Sequence, residues 1–63
     1  MDFESLREIV DFAIEKEQEA ADFYLEASEQ EPFSGSKEML KEFAQQELKH
    51  KDMLENLEDH GVD

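Results

Sequence analysis

Apolar residues recur at alternating three- and four-residue spacing on both sides of a single break. That pattern leaves room for little except two helices folded against each other. The break is Glu31-Pro32-Phe33-Ser34-Gly35-Ser36, which holds the only proline and one of the two glycines, and these are turn residues. Both flanks are rich in Ala, Leu, Glu, Lys and Gln, which favour helix. The first series is Phe3, Leu6, Val10, Ala13, Glu17, Ala20, Tyr24, Ala27, and the second is Leu40, Phe43, Glu47, His50, Leu54, Leu57. The spacing predicts a helix over about residues 3–29, a turn over about 30–36 and a helix over about 37–59. Residues 1–63 are expected to form one domain. Asp2, or Ser5 with Glu8, is placed to cap the first helix, and Ser34 or Ser36 the second, with Gly61 just past its end. Unbroken 3-4 series are the seams of nearly antiparallel bundles. The expected fold is therefore all-α, an antiparallel helical hairpin that dimerises into a four-helix bundle.

A chain of 63 residues buries little core alone and usually needs a disulfide, a metal or a partner subunit. There is no cysteine, which removes disulfides and thiolate metal sites and leaves oxygen and nitrogen ligands, oligomerisation, or both. The formal charge of −13 opposes binding to nucleic acid or an anionic membrane and favours cations. Most of the nineteen acidic residues read as a solvated surface. No stretch is long and apolar enough to span a membrane, and a cytoplasmic location is expected.

Three ionisable residues interrupt the seams: Glu17 on the first, Glu47 and His50 on the second. Burying an unpaired carboxylate is costly, so their positions call for a cause. If the chain folds back at Phe33, Glu17 lies sixteen residues before it, and Glu47 and His50 lie fourteen and seventeen after it. At about 1.5 Å per residue all three reach a similar height, roughly 21 to 26 Å from the turn. Ala13, Ala20 and Ala44 leave room around them.

Glu47-Leu48-Lys49-His50 is an E-x-x-H pair, whose i and i+3 side chains share a helix face and reach one cation. Three ligands make half a site. Two hairpins about a two-fold axis would supply four Glu and two His, the ligand complement of di-iron and di-manganese carboxylate bundles. Carboxylate-rich sites with a little imidazole suit iron(II) or manganese(II). The simpler alternatives are an in-helix ion pair between Glu47 and Lys51, a hydrogen-bonded core role for His50, and a different seam register for Glu17. Glu17 has only Ala13, Ile14, Ala20 and Ala21 at helical neighbour positions. Tyr24 reads as a core aromatic whose hydroxyl needs a partner when buried, and a metal-bound carboxylate is the natural one. Phe12 and Phe23, off the strict seams, are expected at contacts between dimers. Glu15, Glu19 and Asp22 read as a solvated face rather than a cation access route, and His60 as an exposed residue at a helix C-terminus.

At Glu17-Gln18-Glu19-Ala20-Ala21-Asp22-Phe23-Tyr24 and Glu47-Leu48-Lys49-His50 the chain resembles the rubrerythrin-like branch of the ferritin-like superfamily. The resemblance spans about residues 8–58 and implies a ferritin-like bundle in which Glu17, Glu47 and His50 hold iron, with Tyr24 beside the site. Its plan is similar to that of the encapsulated ferritins, two-helix chains that form the site between subunits and assemble into rings. Lys16 departs from the acidic residue usual there. The expected function is ferroxidase-like, with two iron(II) ions bound between subunits and oxidised by dioxygen or peroxide, in a homodimer or higher homo-oligomer. Rubrerythrin-like peroxide reduction is the second enzymatic expectation; without cysteine it needs an external electron donor. A non-catalytic acidic dimerisation module is the third reading.

Overall fold

The computed structural model describes residues 5–61, where the chain forms two α-helices, α1 (Leu6–Gln30) and α2 (Ser34–Gly61). Tyr24 meets Phe43 near the turn and Glu17 meets His50 farther from it, so the helices run antiparallel.

Helix α1 starts at the Ser5 cap. Ser5 is extended and its Oγ accepts a hydrogen bond from the Glu8 backbone N–H at 3.2 Å, which satisfies one of the four unpaired donors of a helix start. The alternative cap, Asp2, and the first seam residue, Phe3, lie outside the described residues. The chain leaves α1 at Glu31, whose extended backbone (φ −77, ψ 123) is the conformation a following proline favours.

Helix α2 starts three residues earlier than its apolar periodicity suggests, so Ser34 and Ser36 fall inside it rather than capping it. Helical bonding begins at Phe33, whose carbonyl accepts from the Lys37 N–H at 2.9 Å, while the Glu31 side chain accepts from the Phe33 N–H at 3.2 Å. Gly61 is the last helical residue rather than the first beyond the helix.

The packing between the helices corrects the expected seam at alternate positions. On α1 the covered row is Val10, Ile14, Glu17, Ala21, Tyr24, Ser28; on α2 it is Lys37, Leu40, Ala44, Glu47, Lys51, Leu54, Glu58. The expected rows share Val10, Glu17 and Tyr24, and Leu40, Glu47 and Leu54. They differ by one residue in between, about a quarter-turn of helix. Ala21 and Ala44 are fully buried, and these small side chains let the two backbones approach. Ser28 is buried as well and is satisfied by donating to the Leu25 carbonyl at 2.7 Å.

The other expected residues, Leu6, Ala13, Ala20 and Ala27 on α1 and Phe43, His50 and Leu57 on α2, flank the shared row on its opposite side. Leu6, Phe43 and Leu57 remain 56%, 39% and 48% exposed. The hairpin measures 45 × 24 × 10 Å, and its thickness is a single helix diameter. One layer of helix encloses only a narrow strip, and among the described residues Val10, Ala21, Ala44 and Ser28 are the buried ones. Among the described residues no helix is long and apolar enough to cross a membrane.

Candidate metal centre

Glu17 stands near the middle of α1, and Glu47 and His50 share a face of α2. The fold brings all three together: one ligand atom from each lies within 4.8 Å of the others. Donors on one ion at about 2.1 Å stand at most about 4.2 Å apart, so a small side-chain rotation closes the set. Glu17 Oε2 is shielded from solvent and has no hydrogen bond. His50 Nδ1 lies 3.4 Å from it, an ion-pair distance that acts as one when the imidazole is protonated. The Glu17 side chain is 24% exposed and that of His50 58%, so the site is covered from behind and open toward the exposed apolar flank.

The electrostatics are those of a site lacking a positive charge. A proton shared with the Glu17 carboxyl raises the Glu47 carboxyl above its ordinary value. Desolvation and repulsion from Glu17 raise it further, and His50 lowers it. When both carboxylates are ionised Glu17 Oε2 has no hydrogen bond, and only the His50 imidazole at 3.4 Å faces it. A cation removes that conflict, and an orphaned carboxylate oxygen beside a second carboxylate and an imidazole is the donor set that iron(II) or manganese(II) accepts. The residues present therefore fit such a metal: Glu17, Glu47 and His50 would hold it.

Lys51 does not pair with Glu47. Its Nζ crosses the hairpin and donates to Gln18 Oε1 at 2.7 Å, and Gln18 Nε2 donates to Asp22 Oδ1 at 2.9 Å. The in-helix ion pair considered above is thus replaced by an inter-helix bond. Tyr24 packs edge-on to Phe23 at 5.6 Å and against Phe43 at 5.5 Å between ring centroids. Within the hairpin its hydroxyl makes no hydrogen bond to the three ligands. Glu19 pairs with Lys16 at 3.4 Å, and Lys16 Nζ sits 5.1 Å from the centre of the Phe12 ring, as suits a solvated face. Phe23 is 65% exposed, and His60 is exposed in the last turn of α2.

Two polar pairings carry no seam signal. One is Gln18 with Lys51. The other is Asp11 with Glu58, where the Asp11 carboxyl chiefly raises the Glu58 carboxyl and Arg7 opposes the rise. The only sequence cue to the first is that each partner follows a ligand, Gln18 after Glu17 and Lys51 after His50.

A carboxylate facing an E-x-x-H pair across an antiparallel helical hairpin defines a protein of the ferritin-like class. More closely, the rubrerythrin family model matches residues 3–59, and the chain belongs to that family. No curated protein and no solved structure matches it.

Proposed function

We propose that this is a di-iron carboxylate protein that works as a homodimer or higher homo-oligomer and oxidises iron(II). The observation that carries the reading is the convergence of Glu17, Glu47 and His50 on the open side of a one-layer hairpin. A second copy laid on that side covers Leu6, Phe43 and Leu57, completes a four-helix bundle and doubles the ligands to four Glu and two His. Iron(II) held there would supply the electrons, two for each dioxygen reduced with two protons to hydrogen peroxide, or for each peroxide reduced with two protons to two waters. Glu17 and Glu47 would hold it with negative charge and His50 with an imidazole nitrogen, and Tyr24 would line the bundle beside them. The same reading places the protein in the cytoplasm, where reduced iron is available.

The test is anaerobic iron(II) titration followed by oxygen, monitored by absorbance and sedimentation. The expected result is about one iron per chain, two per dimer as in di-iron bundles, with oxidation lost in Glu17→Ala. Stoichiometric binding that survives that substitution refutes the site. Membership of the rubrerythrin family favours peroxide reduction as the second reading. Turnover of peroxide with an added electron donor, in preference to oxidation of free iron(II) by oxygen, would select it.

A further inference from the structure

Glu47 and Lys51 stand four residues apart on α2, in the order and spacing that ordinarily gives an in-helix ion pair. A lysine bonded to Glu47 would place a positive charge where the site needs a cation of its own. The lysine instead reaches 33 positions back along the chain to Gln18. Both ends of the Gln18 amide are committed, its oxygen to the Lys51 ammonium and its nitrogen to the Asp22 carboxylate. Gln18 is half-buried, and so is Lys51. The charge of Lys51 is thereby balanced toward Asp22 without touching a ligand.

We infer that Gln18 is a positioning residue that holds Lys51 away from Glu47 and keeps that carboxylate free for metal. The inference rests on the metal-site reading above. Gln18 touches no reacting atom and acts through where it places Lys51. A purely structural role, in which the Gln18–Lys51 bond merely ties the helices together, makes the opposite prediction for the lysine: removing Lys51 would then damage the site as much as removing Gln18.

The experiment is manganese(II) binding, by calorimetry, to the full chain and to Gln18→Leu, Lys51→Met and the double variant. Gln18→Leu is expected to bind about two- to fivefold more weakly per chain, the scale on which a helix-surface ion pair competes for a carboxylate. Lys51→Met and the double variant are expected to bind at least as tightly as the parent, because no competing ammonium remains. Weaker binding by Lys51→Met, or a double variant no better than Gln18→Leu, overturns the inference. Equal manganese binding by the parent and Glu17→Ala would instead refute the metal site itself. The lysine's position is then read without metal, from denaturant melts in chelator. Coupling between Lys51 and Glu47 in a double-mutant cycle should be near zero with Gln18 present and appear with Leu at that position. Coupling of the same size in both backgrounds overturns the inference.

Discussion

Replacing Glu17 by Gln separates the two things this carboxylate does. Its Oε2 is shielded from water without a hydrogen bond, and leaving a buried polar group unsatisfied costs about 1–3 kcal/mol, more when it is charged. Since 24% of the side chain reaches solvent, the lower end, about 1 kcal/mol per chain, is the reasonable figure. Gln keeps the shape, removes the charge and offers an N–H to Glu47. In chelator the variant should therefore melt about 4–8 °C above the parent, the shift that 1 kcal/mol produces in a domain of this size. Manganese(II) should reverse the order. At a hundred times the dissociation constant a ligand stabilises its protein by about 2.7 kcal/mol, which in the parent is roughly 10–20 °C. Losing a ligand should weaken binding by at least about a hundredfold, since even groups that merely support ligands cost 10- to 100-fold. The same metal concentration then gives the variant only about 0.4 kcal/mol. The assay is a pair of thermal melts by circular dichroism, with chelator and with metal, at one protein concentration. A variant that melts lower than the parent in chelator, or gains as much from metal, refutes the reasoning.

Other outcomes follow from the same geometry. The Glu47 and Glu58 carboxyls are both held above their ordinary 4.5, so the folded chain binds protons that the unfolded chain has released. The metal-free stability should fall as pH rises through the window above 4.5 and recover on acidification toward it. A metal-free melt that drops on going from pH 7 to about 5 contradicts those shifts. Metal affinity should run the other way and weaken toward acid, because protons compete for Glu47; calorimetry at two pH values checks it. Ala21 is fully buried between the helices, and Ala21→Leu should cost about 1–3 kcal/mol by overpacking, seen as a lower urea midpoint. Phe43 is 39% exposed on the open flank. Phe43→Glu should leave the helical signal of the hairpin in place at high protein concentration while shifting sedimentation from dimer to single chain.

The hairpin and its site were legible because both rest on periodicity. The turn announces itself through Pro32 and Gly35, and three ionisable residues on apolar rows stand out against a 3-4 background. The register between the helices was not legible at alternate positions. The rows through Ala13 and Ala20 and through Ala21 and Ser28 satisfy the same spacing with side chains of similar size. Nothing in a single chain says which row faces the other helix and which faces outward. Glu17 and Glu47 belong to both rows, which is why the fold still brings them together with His50 despite the change. Side-chain capping signals at Ser34 and Ser36 do not mark the start of α2, because the Phe33 carbonyl begins the helix from the backbone. Helical spacing offers Lys51 only Glu47 as an alternative partner, because it ranks neighbours on one helix, and Gln18 approaches from the other.

Charge then orders the steps of assembly in the proposed dimer. Joining two chains of −13 each through faces that carry Glu17 and Glu47 brings four carboxylates to one axis. His50 offsets them only when protonated. Apolar burial of Leu6, Phe43 and Leu57 draws the faces together, and repulsion at their centre opposes it. Two divalent cations carry the charge that four carboxylates require, so the metal-loaded core is neutral and the opposition vanishes. Metal binding and dimer formation are on this account one equilibrium, each strengthening the other by the same free energy. Two trivalent ions would carry two more positive charges than these four carboxylates balance, so in the proposed dimer the neutral match would belong to the iron(II) state.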